Sequence, residues 1–171
     1  VPCYNEESAL HLFYERTVAV IDSLQEYDFE ILLVNDGSQD RTLSIMQELH
    51  QHDARVSYLN LSRNFGKEIA MIAGIDYLRG DAAIIMDADL QDPPELIPEM
   101  ISWWEQGYQD VSAKRRSRAG ETFFKKWSSH AFYTILQKLS NAPMQRDVGD
   151  FRLLDRQCLN ALRMMRESQR Y

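Results

Sequence analysis

A chain of 171 residues, 44% hydrophobic and 26% charged, suits one globular domain with a real core and excludes a disordered polymer. No apolar run reaches the roughly 18 to 20 residues needed to cross a bilayer and no signal-like leader is present, so the chain as given reads as soluble or peripheral. Net charge is −7, yet six basic residues between Lys114 and Lys126 stand against the single acid Glu121; this local balance of +5 leaves −12 on the remainder and points to a local anionic ligand rather than to nucleic acid.

The hydrophobic period changes from segment to segment. Val1-Pro2 reads as the end of a first strand, and Leu10, Phe13, Tyr14, Thr17, Val18, Ile21 and Leu24 recur at helical spacing. Phe29 to Val34 is a short apolar strand, Asp36-Gly37-Ser38 a turn, and Asp40 a cap for a helix carrying Leu43, Met46 and Leu49. Val56 to Leu61 reads as a strand, Lys67 to Leu78 as a helix, and Ala82 to Met86 as a buried strand. Pro94 opens a helix with Leu96, Ile97, Met100, Ile101 and Trp104, and Asp110 to Ala113 reads as one more strand. The chain begins within a strand and stops at Tyr171 without a terminating signal, so a fragment cut at both ends is expected.

Strand and helix alternating through short connections imply parallel crossovers and a layered α/β sheet. Ligands of such sheets bind beyond the carboxyl ends of the strands. Four polar clusters fall there: Tyr4-Asn5-Glu6-Glu7, Asn35-Asp36-Gly37-Ser38, Arg63-Asn64-Phe65-Gly66-Lys67, and Asp87-Ala88-Asp89. Each alone is an ordinary turn; together they predict a site.

Asp87 and Asp89, two residues apart in extended backbone, project to one side, where like charges repel unless a cation or a proton intervenes. Hard oxygen donors suit Mg²⁺ or Mn²⁺, with Gln91 able to add a carbonyl oxygen and substrate phosphates completing the shell. No GxGxxG and no GxxxxGK[ST] occurs, which disfavours a Rossmann dinucleotide enzyme and a P-loop NTPase. A nucleotide would be held by side chains instead, with Tyr4 as a packing face and Asp36 as an acceptor. Cys3 and Cys158 lack the spacing of a metal or redox pair, and the four histidines form no zinc pattern.

VPCYNEE, VNDGSQDRT, SRNFGKE, DADLQDPPE and DVGDFRLLD, in this order, resemble glycosyltransferase family two, and more narrowly its polyprenyl-phosphate hexosyltransferases, the bactoprenol glucosyltransferases and dolichol-phosphate mannose synthases. The likeness runs from Val1 to about Arg166. It implies a GT-A fold, a Rossmann-like, mostly parallel sheet with helices on both faces, as a single catalytic domain. It also implies an inverting transfer of a hexose, glucose first, from a nucleotide diphosphate to undecaprenyl phosphate at the cytoplasmic face of the plasma membrane. UDP-glucose is the first expectation for the donor, with UDP-N-acetylglucosamine and GDP-mannose open. Pro2, Tyr4, Asn5, Glu6, Asp36, Lys67 and Asp87 would border the nucleotide sugar. Asp89, Gln91 and Asp87 would hold the cation, and Asp150 would lie by the acceptor. Arg115, Arg116, Lys125, Ser129 and Arg152 would meet acceptor or phosphate.

Residues 122–140 carry Phe124, Trp127, Ala131, Ile135 and Leu139 at helical spacing beside Lys125, Lys126 and Lys138. This suits either an interfacial membrane helix or a core-facing one, and the resemblance favours the first. It further implies membrane-spanning segments after Tyr171 and self-association. The competing functions are a family-two enzyme that glycosylates a polysaccharide hydroxyl and a non-catalytic nucleotide-sugar-binding module. A sugar nucleotidyltransferase is disfavoured because the first strand is followed by Tyr4-Asn5-Glu6-Glu7 rather than by a glycine-rich basic loop.

Overall fold

The computed structural model describes residues 1–114 and 148–165. The chain forms two compact units, Val1–Val111 with Asp150–Tyr171 and Ser112–Gly149; the first carries the site described below. Of the second, only the inner ends of two strands fall among the described residues.

The first half is a run of parallel crossovers. β1 (Pro2–Cys3), β2 (Ile31–Asn35) and β3 (Val56–Asn60) lie in that order, all parallel, with Cys3 level with Asn35 and Asn35 level with Asn60. The Asn35 amide donates to the Asn60 side chain at 2.8 Å, tying the two carboxyl ends together. Between the strands run α1 (Leu10–Ile21) and α2 (Thr42–His52), which touch each other. Leu10, Phe13, Thr17 and Ile21 form the buried stripe of α1 at the predicted spacing. Leu10 and Phe13 are fully buried, each contributing about 1.5–3 kcal/mol by leaving water. The helix stops short of the expected Leu24, because the Ser23 hydroxyl turns back to donate to the Val20 carbonyl at 2.6 Å. β2 likewise starts at Ile31 rather than Phe29, where its ladder partner Val56 begins.

α3 (Lys67–Tyr77) then carries the chain back across β2 and β1 to β4 (Ala82–Ile85), which belongs to a second sheet ordered β4-β6-β5. Reversal of the winding direction creates a crevice at the strands' carboxyl ends. After a single 3-10 turn at Pro94–Leu96 comes α4 (Ile97–Glu105), with Pro98 in its first turn; the predicted helix thus begins three residues later than Pro94. β5 (Asp110–Lys114) agrees with its prediction to within a residue.

β6 (Val148–Asp155) is the element that sequence periodicity missed. It runs antiparallel to β4, with Ala82 opposite Asp155 and Ile85 opposite Arg152. α5 (Arg156–Met164) follows at once, capped by the Asp155 carboxylate, which accepts the Cys158 amide at 2.7 Å. α3 and α5 pack against β4 and β6 through Met71, Ile75, Ile85, Leu154 and Leu159. Arg163 of α5 donates to the Ile75 carbonyl at 2.7 Å and to the Leu78 carbonyl at 2.6 Å, satisfying acceptors that the last turn of α3 leaves open. A cavity of about 470 Å³, lined by Phe13, Ile31, Ile84, Ile101 and Trp104 and also by Glu26, Asp28, Glu30 and Asp81, sits at the amino ends of β2 and β4, away from the polar rim.

Candidate functional site

Two loops are sewn into one shelf at the ends of β1 and β2. The Asn5 amide donates to the Ser38 hydroxyl at 3.0 Å, and the Asn5 side-chain oxygen accepts from the Gln39 amide at 2.8 Å. The Glu6 amide reaches the buried Thr42 hydroxyl at 2.8 Å, and the Glu7 amide reaches Asp40 at 3.1 Å. Asn5 adopts φ 56, a left-handed conformation that asparagine tolerates better than most residues. This leaves the Tyr4 ring 43% exposed on the shelf, next to Pro2 in β1.

Asp36 was expected to accept from a nucleoside. The structure places its carboxylate only 2% exposed, accepting the Phe65 amide at 2.7 Å and the Gly66 amide at 2.9 Å. Its observed work is to hold the loop before α3. Gly37 makes that approach possible: its φ is +65, and a Cβ there would lie 2.3 Å from the Arg63 carbonyl carbon. Above this contact the Arg63 guanidinium covers the Phe65 ring, 4.7 Å from its centroid.

The acidic rim follows β4. Asp92 is buried and accepts the Asp87 amide at 3.1 Å, folding the loop back on itself through Leu90, which sits at φ 62. Asp92 is thus the residue that makes this turn rather than a helix cap; no side chain caps the 3-10 turn at Pro94. Asp89 stands exposed at the bend, with one oxygen receiving the Gln91 amide at 3.0 Å. The charges are felt across the rim. Burial raises the Glu6 carboxyl above its ordinary range, and Asp89, Asp87 and Asp40 push it further.

Asp150 lies in β6, not in a free turn. The β4–β6 register, continued two residues beyond Ile85 and Arg152, sets Asp87 opposite Asp150. Lys67, the first residue of α3, fills the space between them: its ammonium is 2.7 Å from Asp87 and 2.7 Å from Asp150. Burial alone would lower the Lys67 pKa, but the hydrogen bonds to Asp150 and Asp87 hold it above the ordinary lysine value. Arg152 is paired with Asp110 at 3.7 Å. Arg115, Arg116, Lys125, Ser129 and the segment 122–140 lie outside the described residues.

The donor set fits a divalent cation of one kind. Among the described residues no three His, Cys, Asp or Glu side chains converge as a closed metal cage. The exposed Asp89, with Gln91 beside it, offers hard oxygen donors in an open arrangement, while the Asp87 carboxylate next to them is held by Lys67. That suits Mg²⁺ or Mn²⁺ drawing its other ligands from a diphosphate and water. Thr42, Asp40 and Asp92, which build the shelf and the bend, were not foreseen as parts of the site. The only sequence signal for them was the density of Asp, Ser and Thr after β2 and β4.

A parallel α/β half, a winding reversal, an acidic rim at the reversal and an antiparallel strand closing it define the GT-A class of glycosyltransferase folds. The chain belongs to glycosyl transferase family 2, which matches residues 1–163. It is 47% identical over 98% of its length to an uncharacterized glycosyltransferase, YkcC, of Bacillus subtilis, covering 51% of that protein. It is 43% identical over 98% of its length to the prophage bactoprenol glucosyl transferase homolog of Escherichia coli, covering 54% of that protein. The chain thus spans about half the length of the curated relatives it matches. Among solved structures it resembles the mannosyltransferase PcManGT from Pyrobaculum calidifontis in complex with GDP-Man and Mn²⁺. That likeness has a TM-score of 0.58 at 21% identity, over 94% of this chain and 44% of the other, and it supports the fold. Transferases of this fold commonly use a divalent metal. Among the described residues no helix is long and apolar enough to cross a membrane.

Proposed function

We propose that this domain catalyses transfer of a hexose, glucose first, from UDP to a polyprenyl phosphate at the cytoplasmic face of a membrane. The observation that carries the reading is the Asp87–Lys67–Asp150 cluster, which joins the nucleotide-side rim to the strand where family resemblance puts the acceptor. The likeness to bactoprenol glucosyl transferases supports the choice of sugar and lipid.

In this reading Pro2, Tyr4, Asn5 and Glu6 border the nucleoside. Asp36 fixes the loop behind it and has lone pairs left for a base donor. Asp89 and Gln91, with Asp87, would hold Mg²⁺ or Mn²⁺. Such a cation neutralises charge on the departing diphosphate. An acceptor phosphate oxygen forms the new bond to the anomeric carbon from the face opposite the diphosphate. The bond from that carbon to the diphosphate oxygen breaks, and UDP leaves with the electron pair, inverting the centre.

A phosphate monoester, with a second pKa of about 6, is largely dianionic near neutrality and hardly needs a base. Asp150 therefore serves to position the acceptor. With a polysaccharide hydroxyl as acceptor, Asp150 would have to take a proton instead. Arg115, Arg116, Lys125 and Ser129 are proposed to meet lipid phosphate, and residues 122–140 to lie at the membrane surface.

The test is UDP release from the full-length protein in detergent, given UDP-glucose and Mn²⁺ or Mg²⁺, with and without undecaprenyl phosphate. Release stimulated by the lipid phosphate is expected, with weaker turnover of UDP-N-acetylglucosamine and GDP-mannose. Release indifferent to lipid phosphate would overturn the acceptor; no turnover of any donor would leave only a binding module.

A further inference from the structure

We propose that Lys67 is a positioning residue, whose single ammonium sets the distance between the nucleotide-side carboxylate Asp87 and the acceptor-side carboxylate Asp150. The proposal rests on the transferase reading above and deepens it.

Two carboxylates that share one ammonium repel each other, and an exposed ion pair alone offsets that poorly. Lys67 is itself 40% exposed, so what sets it apart is not burial but the two ends by which its helix is held. Its backbone follows Gly66, whose amide is held by buried Asp36. The far end of its helix is clamped by Arg163 on the Ile75 and Leu78 carbonyls. The ammonium therefore projects from an element fixed at both ends, as a group that sets geometry must.

On the same rim the fields of Asp89 and Asp87 both reach Glu6, so the negative charge that Lys67 meets through Asp87 is shared with its neighbours. Among the described residues Arg152, the cation of β6 nearest this point, is engaged by Asp110 at 3.7 Å. Lys67 is thus the group that keeps β6 in place when two phosphorylated substrates bring further negative charge. Without it, Asp150 moves away from Asp87 and the acceptor with it.

The experiment is a double-mutant cycle of Lys67→Met and Asp150→Asn in the full-length protein, with Lys67→Arg as the charge-retaining variant. Four readouts are taken: kcat, the KM for lipid phosphate, UDP affinity by calorimetry with Mn²⁺, and the urea midpoint. Lys67→Met is expected to lower kcat/KM for the acceptor by about tenfold to a hundredfold, the scale of an ångström-sized misplacement. The resemblance put Lys67 at the nucleotide sugar; with its ammonium engaged by Asp87 and Asp150 instead, UDP affinity should change by less than about threefold. In the Asp150→Asn background the same change should have little further effect on kcat/KM, and it should shift the urea midpoint less than in the wild type. Lys67→Arg should recover part of the loss.

Additive effects on both kcat/KM and midpoint would overturn the bridge. So would a fall in UDP affinity matching the fall in kcat/KM, which would make Lys67 a donor ligand. If the wild type shows no lipid-stimulated release, the transferase reading fails, and the midpoint cycle alone still decides whether Lys67 couples the two acids.

Discussion

The carboxylate of Asp92 accepts the backbone amide of Asp87 at 3.1 Å while only 4% exposed. Three aspartates in six residues therefore divide their labour by depth. Asp92 is buried and shapes the bend, Asp87 is half-buried and paired with Lys67, and Asp89 is exposed at the tip.

Asp92→Ala is expected to cost about 1–3 kcal/mol, because a buried amide loses its acceptor. Asp89→Asn should leave stability nearly unchanged while abolishing sugar transfer. Urea unfolding paired with UDP release separates the two. Equal stability losses would show that the bend does not depend on Asp92.

Gly37→Ala should destabilise the protein by about 1–3 kcal/mol, through an unfavourable φ and overpacking against the Arg63 backbone. The loop from Arg63 to Gly66 must then lift away from Asp36. Faster amide exchange at Phe65 and Gly66 is the accompanying signature, since these two amides lose their shared acceptor.

How far the sequence could foresee this depends on the range of the contacts. α3 was expected over Lys67 to Leu78 and forms over Lys67–Tyr77. β3 was expected over Val56 to Leu61 and forms over Val56–Asn60. Both follow from local periodicity. β6 escaped because Gly149-Asp150 reads locally as a turn, and only pairing with β4 makes it a strand. The polar clusters at the strand ends were legible as a rim. The commitment of Asp36 to a loop 29 residues away was not, because nothing near Asp36 encodes its partner.

Acid should weaken the fold in part through Asp53. The Arg55 guanidinium, 2.7 Å away, holds this carboxyl well below the usual range; burial opposes the shift, and the Tyr14 hydroxyl at 2.9 Å assists it. A depressed folded-state pKa gives stability that is complete above the unfolded value of about 3.9 and is lost as pH falls through the folded value. Between about pH 5 and pH 2, urea stability should drop more steeply in the wild type than in Asp53→Asn. Parallel curves would remove Asp53 from the acid response.

Cys3 should be silent toward thiol reagents until the protein unfolds. Burial pushes its pKa up to about 12, so the reactive thiolate is scarce, and the side chain is only 2% exposed. Cys158, raised by burial but less enclosed, should react slowly in the native state. A dithionitrobenzoate time course on wild type and Cys158→Ser distinguishes them; rapid labelling of Cys3 in native protein would contradict its enclosure.

The reach of the Lys67 bridge also fixes a sequence of events during synthesis. Its link to Asp87 spans 20 residues and its link to Asp150 spans 83. The contacts from Asn5 to Ser38, Glu6 to Thr42 and Asp36 to Phe65 close over 29 to 36 residues. Loop closure costs less over short spans, and chains fold from the amino terminus as they emerge. On the ribosome, the shelf proposed for the nucleotide is therefore expected to close before Asp150 has been translated. Lys67 rests on Asp87 alone until β6 arrives, so among the described strands it is the one translated last that would complete the proposed two-substrate site.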